Sequence, residues 1–282
     1  MPARLGANNY GKSRVRLFRV SRDGERHDVA DLTVDVAFEG RYEDVHLQGD
    51  NAAVLPTDTM RNTVYALSKE NPVEPVEGFG RALAAHFLGA SEACERVRIR
   101  IARHGWNRIS VGGRPHRHSF VRGSGERRMA YVTADRHSTR YQAGIEDLEV
   151  LKTTQSAFEG YIKDRFTTLP ETKDRIFATI VSARWTYARE PAGFDAAFDA
   201  IRTAMLETFA DHESMSVQQT LYAMGAAVLD ASPEVSEIRL SLPNRHHLLF
   251  DIGRFGMENR NEVFVPTTEP YGLIEATVVR TE

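Results

Sequence analysis

The hydrophobic pattern of this chain changes period, and later changes again in the same order. Val15 and Leu17, then Val34, Val36 and Phe38, recur every second residue with Asp23-Gly24 between them, which predicts a long antiparallel hairpin. The pattern then turns helical. Thr57 or Asp58 supplies a cap for a helix reaching about Leu67, and a second helix is expected over residues 75–87. Alternation returns at Val97, Ile99 and Ile101, Gly112-Gly113 offers a turn, and residues 128–135 supply a further strand. Beyond a polar stretch near 135–142, strands are expected at 145–151 and 176–187. Phe194, Phe198, Ile201, Met205 and Phe209 then fall at helical spacing, a second helix covers 217–229, and strands close the chain at 237–242, 247–252 and 273–280. Two antiparallel sheets, each with helices on one face, make an α+β protein and not a parallel βαβ one. The expected division is 1–138 and 139–282.

A chain of 282 residues is long enough for two such units to bury real cores. Its formal net charge of −3 provides no general attraction to nucleic acid or to an anionic membrane, so a small-molecule partner is expected. Cys94 is the only cysteine, which excludes an intrachain disulfide and a cysteine-based zinc site and fits a reducing compartment. No long apolar core follows Met1-Pro-Ala-Arg-Leu-Gly-Ala, and no window approaches a membrane span. The end, Val279-Arg280-Thr281-Glu282, lacks a Ser-Lys-Leu type of peroxisomal address. A cytoplasmic location is expected.

The stretch richest in chemistry lies near the C-terminus. The run Glu237-Ile238-Arg239-Leu240-Ser241-Leu242 meets Pro243, which is expected to end the strand and aim the following polar residues outward. Asn244 can hold an oxygen species through its amide, and His246 can move protons near neutral pH. Elsewhere the residues taken alone leave two readings open. Lys12 in Tyr10-Gly11-Lys12 is either a solvated strand-start lysine or a base made available by desolvation. Phe158 fills a core or stacks on a flat ring. Arg175 grips a planar anion with its fork or closes a surface ion pair with Asp174. Gln218, at the start of a helix that Ser216 can cap, is exposed or both donates to and accepts from a ligand.

Ser241-Leu242-Pro243-Asn244-Arg245-His246-His247 resembles the signature of the urate oxidase, or uricase, family. Tyr10-Gly11-Lys12, Thr57-Asp58 followed by Asn62-Thr63-Val64-Tyr65, Phe158-Glu159-Gly160, and the run ending at Arg175 are similar to that family's pattern in consistent order. The resemblance implies two tandem tunnelling-fold (T-fold) domains, assembled as a homotetramer with active sites between subunits. It implies oxidation of urate by dioxygen and water to 5-hydroxyisourate and hydrogen peroxide, with no cofactor. It assigns a proton relay to Lys12, Thr57 and His246, with Thr57 also binding the substrate from the neighbouring subunit. Phe158 would stack on urate, Arg175 and Gln218 would clamp it, and the backbones of Asp58 and Val217 would touch it. Leu169 would line the pocket and Asn244 would anchor oxygen or water.

Three rival readings carry less weight. His116 and His118, joined by His104, could share a metal, but no H-E-x-x-H or carboxylate-rich pattern accompanies them and no metal site is expected. Another tunnelling-fold activity on a pterin or purine-like ring would suit the same clamp without the C-terminal signature. A non-catalytic purine-binding scaffold would need the clamp without the relay.

Overall fold

The computed structural model describes residues 3–281. Met1, Pro2 and Glu282, at the two ends where neither an export core nor a peroxisomal address was read, lie outside the described residues. The chain divides into compact units Met1–Gly144 and Ile145–Glu282.

In the first unit, strands β1 (Tyr10–Asp23), β2 (Arg26–Gly40), β3 (Cys94–Val111) and β4 (Arg114–Asp135) are joined antiparallel in that order. After β2 come a short helix α1 (Glu43–Leu47), then α2 (Thr57–Glu70) and α3 (Val76–Ala90). The predicted order therefore holds, with α1 as an addition too short for periodicity to reveal. Leu32, Val34, Val36 and Phe38 of β2 alternate inward with Ile99 and Ile101 of β3, and Met60, Val64, Phe79, Leu83 and Phe87 cover them from the helices. Each fully buried side chain of that size contributes about 1.5–3 kcal/mol over exposure.

Strand β5 (Thr139–Lys152) runs through the division between the units. In the second, β6 (Phe177–Tyr187), β7 (Val235–Arg245) and β10 (Gly272–Val279) pair antiparallel, with helices α4 (Phe194–Asp211) and α5 (Val217–Ala231) between β6 and β7. Trp185, Ile238, Leu240 and Leu242 face Ile201, Met205, Leu221, Met224 and Val228 in its core. The expected strand at 247–252 is shorter and lies elsewhere. Strand β8 (His247–Leu249) pairs with β9 (Phe264–Pro266) in a separate two-stranded ribbon, with a single 3₁₀ turn at Gly253–Phe255 between them.

The last helix of each unit presses a glycine against the sheet. A Cβ on Gly80 of α3 would stand 2.7 Å from a Val132 methyl, and one on Gly225 of α5 would stand 2.5 Å from a Val278 methyl. Both helices thus approach their strands more closely than any side chain allows. Two units, each with antiparallel strands, helices on the sheet and the same packing device, make an α+β fold of repeated units.

Candidate active site

The site begins with an irregularity in β1. Lys12 lies opposite Val36 and Val15 opposite Val34, so Ser13 and Arg14 together face the single residue Asp35. This is a β-bulge. Arg14 adopts a left-handed φ of 59°, and its N–H donates to Asp35 Oδ1 at 2.6 Å in place of a ladder bond. The extra residue reverses the parity of the strand. If the same residues ran as an unbroken ladder, Lys12 would point away from the buried side that Val15 and Leu17 face; with the bulge, Lys12 lies opposite buried Val36 and so on the same side as they do. Gly11 is required there, because a Cβ would collide with the Val36 carbonyl oxygen at 1.9 Å.

Helix α2 starts at Thr57 itself. Its N-cap is Pro56, with no side-chain cap bond, so the expected capping by Thr57 or Asp58 does not occur. A residue caps a helix by standing just before it, and Thr57 is already in the first turn. Among the described residues, the Thr57 hydroxyl and the Lys12 ammonium have no hydrogen-bond partner within the chain. Asp58 instead pairs with Arg61 at 2.7 Å and accepts from Asn62 at 3.1 Å.

In the second unit a cavity of about 620 Å³ is lined by Phe158, Leu169, Arg175, Ile176, Asn244, His246 and His247, among others. Strand β7 does not stop at Pro243. Pro243 is paired with Leu273 of β10, and on the β6 side the register holds from Ser182↔Ser241 to Thr179↔Asn244 although no pairing is made at Leu242 or Pro243. The missing proline N–H costs a local gap in the ladder, not the strand. Asn244 thus sits on the last turnless part of a paired strand, and His246 sits in the step between β7 and β8. Its carbonyl accepts from the Thr267 N–H at 2.8 Å.

The opposite wall is a loop closed on itself. Phe158 and Thr172 exchange backbone bonds of 2.8 and 3.1 Å. Within this closure Lys163 pairs with Glu171 at 3.0 Å, and the Tyr161 hydroxyl donates to the Leu169 carbonyl. Tyr161 stacks on Phe158 at 4.8 Å and 16°. The Arg175 guanidinium lies 5.2 Å from the Phe158 ring centroid. Asp174 is occupied by the Thr154 hydroxyl at 2.8 Å, and Arg175 has no carboxylate partner among the described residues. Burial lowers the Arg175 pKa from its ordinary value. A half-buried cation without an anion beside it, against an aromatic face, is a place for an anionic flat ligand.

Val217 and Gln218 do not line this cavity. Val217 is buried at the start of α5, and Gln218 is exposed beside it. Ser216 caps the helix as expected, accepting from the Gln219 N–H at 3.1 Å, while Gln219 Oε1 accepts from the Met215 N–H at 2.8 Å. Gln219 is consumed by the cap and Gln218 is not. The candidate residues thus divide between the units: Lys12, Thr57 and Asp58 lie in the first, and in the second Phe158, Leu169, Arg175, Asn244 and His246 line the cavity while Val217 and Gln218 do not.

The uricase family model matches residues 8–133 and again 141–275. The chain is 44% identical to a uricase of Arthrobacter globiformis over 98% of its own length and 90% of that protein. It is 37% identical to a uricase of Danio rerio, covering 96% and 93%. The chain belongs to the uricase family. The crystal structure of the Arthrobacter globiformis uricase superposes with a TM-score of 0.94 at 43% identity, covering 99% of this chain and 96% of that one. A hyperthermostable mutant of the Bacillus sp. TB-90 urate oxidase, 22% identical with a TM-score of 0.86, shares the fold. The tandem T-fold architecture expected from the resemblance is thereby established. Among the described residues no group of three or more His, Cys, Asp or Glu is placed to hold a metal, the His116 and His118 pair included, and no helix is long and apolar enough to cross a membrane.

Sequence reading missed several residues that shape this cavity. Tyr161, Thr172 and Thr267 act through loop closure, which leaves no periodic trace. The bulge at Ser13 and Arg14 left no signal, because Lys12, Arg14 and Arg16 alternate with Val15 and Leu17 as they would on an unbroken strand.

Proposed function

We propose that this chain is a urate oxidase that uses dioxygen and water and yields 5-hydroxyisourate and hydrogen peroxide. The observation that carries the reading is Arg175, half-buried beside Phe158 with no carboxylate partner among the described residues, in one cavity with Leu169, Asn244 and His246. Its fork matches two adjacent acceptors on the pyrimidine edge of urate, and the exposed Gln218 amide serves the other side of the clamp. Phe158 stacks on the ring.

Lys12, Thr57 and His246 remove a proton through a relay, leaving an electron-rich urate dianion. Dioxygen, held near Asn244 and Thr57, takes two electrons and bonds at C5 as a hydroperoxide. That group leaves as hydrogen peroxide, and water adds in its place to give 5-hydroxyisourate. Atoms balance with one urate, one dioxygen and one water consumed for each pair of products. The backbones of Asp58 and Val217 complete the contacts with the purine edge. The two groups of site residues lie in different units, which supports a homotetramer whose sites take the Lys12 group from one subunit and the Arg175 group from its neighbour. The location is cytoplasmic.

Metal-stripped protein mixed with urate under air should lose the urate absorbance and release one peroxide per urate. Urate binding without absorbance loss would overturn the reading, as would activity that disappears with a chelator and returns with metal.

A further inference from the structure

Tyr10 stands two residues before Lys12, and Leu55 stands two residues before Thr57. The Leu55 N–H donates to Tyr10 Oη at 3.1 Å. Among the described residues, no other hydrogen bond joins the part of β1 before the bulge to the segment that leads into α2. The phenol is itself held in place. Its ring meets Phe38 edge-on at 5.7 Å and Tyr42 at 4.8 Å, and both of those are fully buried. Tyr10 lies opposite Phe38 and Lys12 opposite Val36, so the two side chains share the buried side of β1. The other end is equally short, because the Pro56 carbonyl accepts the Met60 N–H at 3.1 Å and opens the helix on which Thr57 sits.

We infer that Tyr10 is a positioning residue for the proton relay, setting the distance between the Lys12 ammonium and the Thr57 hydroxyl through its hydrogen bond to Leu55. The inference rests on the relay assignment given above. Lys12 is on a strand edge beside a bulge and Thr57 follows a turn, and among the described residues neither side chain has a hydrogen-bond partner to fix it. The hydrogen bond between their neighbours is what joins the two backbones. A shift of about 1 Å between reacting groups costs up to roughly a hundredfold in rate.

The test is the Tyr10→Phe variant, which keeps the ring contacts and removes the hydroxyl, and with it the bond from Leu55 and the contact with the Tyr42 hydroxyl. Its kcat on urate should fall by about tenfold to a hundredfold, with KM within about twofold because the clamp lies in the other unit. The pH profile of kcat should move as well, which a loss of general stability would not cause. In a Thr57→Ala background the same substitution should change kcat by less than about twofold, since residues acting as one unit are not additive. If Tyr10→Phe fails to assemble, Leu55→Pro, which deletes the donor and keeps the phenol, should produce the same pattern. Wild-type kcat in Tyr10→Phe, or an equal factor in both backgrounds, would overturn the inference while leaving the relay intact. Wild-type turnover in Thr57→Ala would instead remove the relay itself, and the role of Tyr10 with it.

Discussion

A single guanidinium decides how the cavity in the second unit is used. Arg175 could have been spent on Asp174, and the structure spends Asp174 on Thr154 instead. The cation is therefore free for a ligand, and its charge persists at neutral pH even with its pKa lowered by burial. Truncating one partner of such a pair costs about 2–5 kcal/mol, so Arg175→Ala should raise the urate Kd by about thirtyfold or more. Arg175→Lys should recover only part of this, because an ammonium lacks the planar fork. Titration with a urate analogue that cannot be oxidised measures both, and near-normal affinity in Arg175→Ala would dismiss the clamp. Phe158, Leu169 and His246 could be named from their sequence neighbourhoods. Tyr161 could not, since its stacking on Phe158 depends on how a closed loop returns.

At the level of elements, the bulge in β1 has the larger consequence. Alternation of Val15 and Leu17 predicts the strand correctly and misplaces Lys12 to its outer side, because alternation assumes an unbroken ladder. Two residues opposite Asp35 correct the parity. Deleting Ser13 and Arg14 together should put Lys12 opposite Asp35 on the other face and remove more than about 99% of turnover, as expected for loss of a general acid–base group, whereas deleting Ser13 alone leaves Lys12 opposite Val36. The core residues of β1 beyond the bulge are untouched, so the midpoint of thermal unfolding should stay within about 8 °C, the shift expected for a loss of 1–2 kcal/mol in a chain of this size. Retained activity would show that Lys12 works from either face. The same kind of misreading occurred at Pro243, where a breaker in sequence became a tolerated gap because β10 supplies pairing on one side.

For the whole molecule, the separation of the site residues into two groups makes a prediction about assembly. If each site combines the Lys12 group of one subunit with the Arg175 group of its neighbour, inactive Lys12→Met and Arg175→Ala chains should rescue each other when co-expressed. Random pairing at a two-fold interface leaves about a quarter of sites with both groups intact, so mixed tetramers should regain about that share of wild-type activity. Chains expressed separately and assayed together without exchange should regain none. Absence of rescue in verified mixed oligomers would place each complete site within one chain.

Periodicity in the sequence determined the elements, their order and the α+β class, because burial of one face imposes a period of two or of 3.6 wherever a strand or helix lies. Short motifs determined the family and named the residues proposed for the site, since the chemistry needs those side chains in those neighbourhoods. Only the tertiary structure decided that Lys12 faces the helices, that the Thr57 hydroxyl and Arg175 are uncommitted, and that β7 continues through Pro243. Those outcomes depend on which donor meets which acceptor across residues far apart in the chain, and no local pattern records that choice.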